Sequence, residues 1–481
     1  MRRWWGSWPF LVIVGTFVLA AALRIWYASL PAVPWWDETI YIGMAKHLFS
    51  GGALGYWEVF RPPVIPFLVG LGWWVGVPAL AAGKAVNVVA SLGVLVLTYL
   101  IGERLYRGAG LVAVAVLAFI PTFFRFGGMV LSSIPATCLA LLGLWLVLER
   151  RWFWAGVAFG LAFLTRFVLA LFGVGVAVAL LVAWLSTGKA RLEWRSWLRR
   201  MSMFVVGGFA VLIPYLVVHL VSIGDALFPI LEASRVFTQY NEWVYDYGNW
   251  YYLVEVLKNS VFFVFSLLGL YLFARWRKWR DAAWLGVLVP LVLRVGYFLP
   301  VTHKEIRFFL PMFPLLALLS GVGVAWLLRR CRRCTDKVWA GVLVVIVVVS
   351  LVVAWQGLSA EAMPSDLQGD KREFYHYFEN ASKEGDMLIA SNPLYMVYTD
   401  KPITFVRSWE RSGEVMRRYG DRADYAAVDL CDHPCKEGSE CEAYREAFVD
   451  RRSGDGLVFT GSYESWDGKN CSLRIWRLNG S

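Results

Sequence analysis

Two adjacent carboxylates are the residues in this sequence with the clearest potential for chemistry. Asp37 and Glu38 follow Trp35 and Trp36, shortly after the first long apolar segment. A carboxylate beside a membrane is costly unless it is solvated or serves a function. A carboxylate that lies close to a hydroxyl group can take its proton as a general base. The pair is therefore a candidate catalytic site.

The segment after this pair has the spacing of a short amphipathic helix. Its apolar positions recur at intervals of three and four residues, and they are Tyr41, Met44, Ala45, Leu48 and Phe49. The segment is too short to span a bilayer, so we expect it to lie in the membrane interface. In the alternative interpretation Asp37 only caps this helix and Glu38 only favours its dipole. Capping explains one carboxylate, but not two beside two tryptophans.

A second group of candidates consists of cations near the ends of apolar segments. They are Lys84, Arg125, Arg166 and the His303-Lys304-Glu305-Ile306-Arg307 loop. Arg294 lies within an apolar run, a position in which a charge normally needs a partner. The predicted topology places the cations near the segment ends on the outer face, where short loops are normally poor in basic residues. We therefore predict that they converge on an anion such as a lipid phosphate. A lysine that snorkels to the interface remains the alternative for Lys84, and a solvated turn remains the alternative for the loop.

The composition indicates what must position these residues. Of the 481 residues 58% are hydrophobic, and several apolar runs approach the length that crosses a bilayer as a helix. The predicted spans lie near 9–29, 83–103, 109–126, 130–148, 153–168, 170–187, 201–221, 253–274, 282–300, 308–328 and 338–357. Basic clusters in the connecting loops predict a cytoplasmic N-terminus and an external C-terminus. The net charge of +11 is concentrated in these loops, which argues against nucleic-acid binding.

From residue 358 the sequence changes to that of a small α/β domain. Helices are predicted at 370–382 and near 441–451, and strands at 387–391, 425–430, 456–463 and 472–478. The domain contains four cysteines, which are Cys431, Cys435, Cys441 and Cys471. On the external side we expect at least one disulfide, with three pairings open. A zinc site is the alternative, but the cysteine spacing is a poor zinc signature.

Taken together, these motifs resemble those of the GT-C glycosyltransferases that use a polyprenyl-phosphate sugar. The Asp-Glu pair, the short helix and Arg61-Pro62-Pro63 are similar to protein O-mannosyltransferases and lipid A aminoarabinose transferases. The stretch 303–308 resembles the His-Lys-Glu-x-Arg-Phe motif of mannosyltransferases that build lipid-linked oligosaccharides and GPI anchors. The resemblance covers 1–357. It implies a polytopic α-helical catalytic domain of about eleven spans, with 30–82 as first outer loop and interfacial helix, and 358–481 as an extracytoplasmic α/β domain.

The resemblance also implies a mechanism and a set of site residues. Asp37 would take the proton of an acceptor hydroxyl in an inverting displacement at the anomeric carbon, and Glu38 would orient the acceptor, bind a metal or support the helix. The donor phosphate would be bound by Lys84, Arg125, Arg166, His303, Lys304 and Arg307. Substrate contacts or a lid would come from Arg61, Glu305, Tyr245 and Trp250, although the aromatic stretch 240–252 is equally typical of an interfacial belt.

The partners expected from the resemblance are a polyprenyl (dolichyl) phosphate carrying a hexose such as mannose, and a protein, glycan or lipid acceptor. No cofactor is required, and a divalent metal is compatible with the sequence but not indicated by it. The enzyme would be a multi-pass plasma-membrane protein with an extracytoplasmic active site, or a lumenal one in the endoplasmic reticulum of a eukaryote.

Two other classes of protein are alternative interpretations of this sequence. A lipid or anion transporter or flippase would explain many spans and buried charge, but it predicts inverted repeats and mid-membrane ionisable residues. A catalytically inactive binding protein would not require the intact Asp37-Glu38 pair.

Overall fold

The computed structural model describes most of the chain. The described residues are 8–186, 190–239, 247–301, 303–331, 334–360, 367, 369–406, 409, 412–432, 435, 439–450, 456–464 and 469–478.

Helices make up most of the described chain before residue 360. In chain order they are α1 (Trp8–Ser29), α2 (Trp36–Phe49), α3 (Val64–Trp74), α4 (Ala79–Leu105), α5 (Ala109–Leu117), α6 (Pro121–Phe126), α7 (Ser133–Leu148), α8 (Trp152–Thr165), α9 (Ala170–Ser186), α10 (Ala190–Ile223), α11 (Phe228–Gln239), α12 (Tyr251–Asn259), α13 (Phe265–Arg275), α14 (Ala282–Phe298), α15 (Ile306–Phe309), α16 (Phe313–Arg330) and α17 (Asp336–Ala360). Short 3₁₀ turns lie at Phe167–Leu169, Val261–Val264, Lys278–Arg280 and Leu310–Met312.

Helices and strands alternate in the C-terminal part of the chain. They are α18 (Gly369–Ala381), β1 (Leu388–Ala390), α19 (Tyr395–Tyr398), β2 (Ile403–Phe405), α20 (Ser412–Tyr419), a 3₁₀ turn at Gly420–Arg422, β3 (Tyr425–Asp429), α21 (Glu440–Asp450), β4 (Gly456–Glu464) and β5 (Asn470–Arg477). Four of the five strands lie where the sequence predicts them, and β2 was not predicted.

Within the described residues, six helices are long and apolar enough to cross a membrane. A seventh span results if the two helical segments 251–259 and 261–275, bent by 118°, count as one. The chain is therefore a multi-pass membrane protein, but the predicted count of eleven spans is too high by these criteria. The predicted run 109–126 breaks at Pro121 into two short helices. Four other apolar helices have 17 residues or fewer and rise at most about 26 Å, less than the roughly 30 Å hydrocarbon core.

The chain divides into two compact units. The first comprises Met1–Ser29, Val59–Val64 and Lys84–Ala362, and the second comprises Leu30–Glu58, Ile65–Gly83 and Met363–Ser481. Most of the first loop thus belongs to the same unit as the C-terminal residues, whereas the sequence analysis assigned 30–82 to the transmembrane domain.

The first unit is organised around two buried helices. All nine residues of α5 are buried, and so are most residues of α16, which packs against it. The backbones approach closely where α8 meets α10, because a Cβ at Gly156 would lie 1.9 Å from the Phe204 carbonyl oxygen. Small residues permit such close contacts between helices. In a membrane these contacts stabilise the helix pair, because no hydrophobic effect drives the association of the two helices.

The second unit is built on a five-stranded mixed sheet. The strand order is β2-β1-β3-β5-β4, with β1 parallel to β2 and β3, and β5 antiparallel to β3 and β4. Successive side chains of a strand point to opposite faces of the sheet. Leu388 and Ala390 of β1 therefore face the core that contains α18 and α19, while Ile389 faces the core that contains Phe448 of α21. Helices on both faces explain why β1, β2 and β3 are buried throughout.

Helix α2 belongs to one of these two cores. Ile40 and Met44 are fully buried in the same cluster as Phe374, Tyr395 and Met396. Nine consecutive residues of α2, from Glu38 to Lys46, are buried. Packing within the protein therefore accounts for the apolar residues of this helix, and its location in the membrane interface stays a prediction. Aromatic contacts complete its packing, since the ring centroids of Trp36 and Phe405 are 5.8 Å apart.

Two disulfides close loops in the second unit. Cys431 is bonded to Cys471, and Cys435 is bonded to Cys441. The prediction of at least one disulfide among these four residues is confirmed, and the structure selects one of the three open pairings.

Candidate functional site

The carboxylate pair lies in the first turn of α2. The N-cap position is occupied by Trp35, so Asp37 is the second residue of the helix and not its cap. Glu38 turns back to the chain, and its Oε2 accepts a hydrogen bond of 2.8 Å from the Trp35 backbone nitrogen. Glu38 is buried and Asp37 is half-buried. The helix start therefore accounts for the position of Glu38, while Asp37 does not fill the N-cap role of the alternative interpretation.

The other end of α2 is held by a buried lysine. The Nζ of Lys46 donates to the carbonyl oxygens of Met396 at 2.7 Å and Thr399 at 2.9 Å. It also forms an ion pair of 2.8 Å with Asp400. Burial lowers the pKa of Lys46, while the charges of Asp400 and Glu379 oppose that shift. Such a lysine is tolerated because each ammonium proton faces an oxygen.

In the first unit, basic residues gather around Phe308. The guanidinium carbons of Arg166 and Arg307 lie 5.3 and 5.5 Å from the centre of the Phe308 ring. Arg294, fully buried in α14, donates to the Phe308 carbonyl oxygen at 3.1 Å and to that of Val168 at 3.2 Å. Three arginines remote in sequence thus meet at one residue.

One carboxylate organises the loop before α15. Glu305 accepts from Arg307 Nη2 at 2.8 Å and pairs with the Arg307 Nε at 2.5 Å. The Nε2 of His303 lies 2.8 Å from Glu305 Oε1. Glu305 therefore fixes the directions of the two cationic or ionisable groups on either side of it, which a plain solvated turn would not do.

Lys304 lies between these residues in the chain and is only 3% exposed. Its amino group makes no hydrogen bond or ion pair with any other residue that the structure describes. A positive charge on a residue with so little exposure is costly, and a bound anion would offset that cost. We define the phosphate-site candidate as Arg166, His303, Lys304, Arg307 and Phe308.

Within its described part, 247–252, the aromatic stretch comes close to this cluster at Tyr252. Tyr252 stacks on Phe309, with ring centroids 4.8 Å apart and an interplanar angle of 20°. Trp250 is 75% exposed. Tyr245, which was assigned with it to a lid, lies outside the described residues.

The remaining predicted cations have local contacts of their own. Lys84, near the start of α4, donates to the Ala28 carbonyl oxygen at the end of α1, at 2.9 Å. Such a lysine stabilises the C-terminus of a helix. Arg125 is half-buried in the last turn of α6, and Arg61 lies over the Phe60 ring at 5.9 Å.

One buried arginine was missed by the sequence analysis. Arg24 of α1 is fully buried, donates to the Ala118 carbonyl oxygen at 2.8 Å and lies over the rings of Phe123 and Phe124. It therefore braces the helix that carries Arg125. A lone arginine within a predicted span was the signal that could have identified it.

Comparison with solved structures shows a similar fold in two proteins. The crystal structure of ArnT from Cupriavidus metallidurans bound to undecaprenyl phosphate superposes with a TM-score of 0.65, 13% identity, and coverage of 96% of this chain and 97% of that one. The apo structure of the same protein gives a TM-score of 0.66.

The archaeal oligosaccharyltransferase AglB from Archaeoglobus fulgidus, in complex with an inhibitory peptide and a dolichol-phosphate, gives a TM-score of 0.54 and 12% identity. It covers 98% of this chain and 74% of that one. No family model and no curated protein matches the sequence. The chain therefore shares the fold of these solved proteins, with the helical membrane part and the C-terminal α/β domain that the sequence predicted.

Proposed function

We propose that this chain, which shares the fold of two proteins solved with a polyprenyl phosphate, is a membrane glycosyltransferase. It moves a sugar from a polyprenyl-phosphate carrier to an acceptor hydroxyl. The observation that carries the proposal is the phosphate-site candidate. It contains three positive charges, those of Arg166, Lys304 and Arg307, the carboxylate of Glu305 lies beside it, and the Lys304 residue is only 3% exposed.

A phosphate monoester or diester is the ligand that this charge pattern fits best. Arginine forks bind two phosphate oxygens at once, and a lysine adds a compact charge. When the sugar leaves, negative charge develops on the carrier phosphate. Cations already fixed by Glu305 and Phe308 stabilise that charge without reorganisation, which lowers the barrier to the chemical step.

In the proposed reaction Asp37 takes the proton of the acceptor hydroxyl as its oxygen attacks the anomeric carbon. The bond between this carbon and the carrier phosphate breaks in the same step, so the configuration inverts and polyprenyl phosphate is released. Glu38 supports the start of α2, as its hydrogen bond to Trp35 indicates. Lys84 and Arg125 add positive charge beside the donor phosphate. Arg61 and Trp250 contact the acceptor or cover it.

The finer assignments belong to the same proposal. The sugar is a hexose such as mannose, the acceptor is a protein, glycan or lipid, and no metal is needed because the carrier phosphate already activates the sugar. The reaction takes place on the extracytoplasmic side, where the disulfides of the C-terminal sheet domain are stable.

The test is the transfer of a labelled sugar from a polyprenyl-phosphate donor in liposomes. Asp37→Asn keeps the shape of the side chain and should reduce turnover by about a hundredfold or more, since a general base contributes that factor. Donor binding and thermal stability should stay close to those of the unaltered protein. Glu38→Gln is the matched control, because it removes the neighbouring charge and should mainly lower stability. Turnover close to normal in Asp37→Asn would remove Asp37 as the base.

A further inference from the structure

The helix that carries Asp37 is anchored at its far end by the C-terminal domain. Lys46 is nine positions after Asp37 in α2, a distance of about 14 Å along the axis. Its ammonium group contacts the Met396 carbonyl, the Thr399 carbonyl and the Asp400 carboxylate. These three groups surround the end of α19, a four-residue helix of the sheet domain.

From this geometry we infer that Lys46 is a positioning residue for Asp37 and that the sheet domain sets where the base lies. The inference rests on the proposed role of Asp37 and extends it to a residue and a domain to which no part in the reaction has been assigned.

Apolar packing alone fixes the position of α2 less sharply than directional contacts do. Ile40 and Met44 fit the core, but dispersion contacts have little direction. The Lys46 contacts are directional, and the residue is only 4% exposed. Its anchor points are themselves fixed, because the Thr399 hydroxyl donates to Glu379 of α18.

The close approach of α2 to α19 also requires a glycine. A Cβ placed on Gly43 would lie 2.1 Å from the Met396 sulfur and 3.6 Å from the Met396 Cβ. The Met396 side chain therefore occupies the space above Gly43, one turn before Lys46. Helices α2 and α19 are therefore in contact at Gly43 and Met396, and the hydrogen bonds of Lys46 hold them together next to this contact.

Geometry gives the size of the expected effect. A tilt of about 5° at the anchor moves the first turn of a helix this long by roughly 1 Å. A displacement of that size at a reacting group can cost about a hundredfold in rate. We therefore expect Lys46→Met, which removes the charge and keeps the length, to reduce turnover between roughly tenfold and a hundredfold. The KM for the donor should change by less than about twofold, since phosphate binding does not involve α2.

A covalent tether makes the test specific for position. The 3.6 Å separation of the two Cβ positions at 43 and 396 falls within the range of disulfides. Gly43→Cys with Met396→Cys, added to Lys46→Met and oxidised, should restore turnover, and reduction should abolish it again. Lys46→Arg keeps a charged donor and should retain more turnover than Lys46→Met.

Lys401→Met is the matched control. Lys401 donates to the Glu379 and Ser382 carbonyls at the end of α18, each at 2.9 Å, in the same domain. Removal of the Lys401 ammonium group should lower the thermal stability of the protein, while turnover stays normal. The unaltered protein with and without reductant controls for the native disulfides.

The outcomes separate this inference from the proposed function. Full turnover in Lys46→Met, equal loss in Lys401→Met, absence of the engineered disulfide by mass spectrometry, or a tether that forms without restoring turnover would each overturn the positioning role. Turnover close to normal in Asp37→Asn would instead overturn the proposed function on which it rests.

Discussion

The buried carboxyl group of Asp432 should make the C-terminal sheet domain less stable as the pH rises. The Asp432 carboxylate accepts hydrogen bonds from Ser391 Oγ at 2.6 Å and Asn392 Nδ2 at 2.7 Å. Burial, and next the charge of Asp429, raises the pKa of Asp432 from 3.8 to about 8, although these two hydrogen bonds oppose the shift. The positive charge of Lys371 also opposes the shift.

The sign of the effect follows from proton binding. The folded protein keeps the Asp432 proton up to a pH of about 8, whereas the unfolded chain loses it near 4. Between these values the folded state binds more protons, so its stability is greatest at the acid end and falls as the pH rises. The Asp432 residue as a whole is half-buried although its carboxyl group is enclosed. After allowance for solvent screening through the exposed part, the loss should be on the order of 1–2 kcal/mol. For a unit of this size that corresponds to roughly 5 °C in Tm.

The assay is thermal unfolding of the full-length protein in detergent between pH 5 and 8.5. The asparagine of Asp432→Asn cannot titrate, so the Tm of this variant should fall much less between pH 5 and 8.5 than the Tm of the unaltered protein. Asp421→Asn is the control, since Asp421 is exposed on the same domain and should leave the decline unchanged. A Tm that rises from pH 5 to 8, or an equal decline in Asp432→Asn, would refute the reasoning.

Three further predictions concern other parts of the molecule. Lys304→Met should weaken binding of a polyprenyl phosphate by about tenfold or more, because a hydrogen bond to a charged group contributes about 1.5–3 kcal/mol. The exposed Lys258 should be replaceable without effect, and unchanged affinity in Lys304→Met would contradict the assignment. Cys431→Ala removes the disulfide that spans 40 residues and should lower the free energy of unfolding of the domain by about 4 kcal/mol, because the unfolded chain gains loop entropy. Loss of the Cys435–Cys441 disulfide, which spans six residues, should cost about 2 kcal/mol. Equal losses in denaturant unfolding would argue against this ordering. In a background without the three free cysteines, external reagent should label His303→Cys but not Lys278→Cys in intact cells, and the reverse pattern would invert the proposed topology.

The sheet domain was largely predictable from sequence because its signals are local. A continuous apolar run defines β3 and alternating apolar residues define β5, and each strand is long enough for its pattern to be recognised. The strand β2 has only three residues, Ile403–Phe405, too few for a period. The location of α2 was not predictable for a different reason. Its apolar residues fit a membrane surface as well as a protein core, and only tertiary structure shows that Ile40 and Met44 pack against residues more than 300 positions away.

The cation cluster was predictable in part. The motif at 303–307 and Arg166 each stood out because basic residues are rare in such positions, and the structure brings Arg166 and Arg307 to the same ring, that of Phe308. Sequence spacing does not encode which side chain serves as the meeting point. Nor does it show that Lys84 contacts a helix end, since a capping lysine and a ligand-binding lysine have the same local pattern.

The most direct measurement of the central claim is a cryo-electron microscopy map of the protein with a polyprenyl phosphate added in lipid nanodiscs. The proposed function predicts phosphate density within hydrogen-bond distance of the Lys304 Nζ, about 3 Å, and in contact with the guanidinium group of Arg166 or Arg307. Phosphate density elsewhere in the protein, with Lys304 still buried and without an anionic partner, would contradict it.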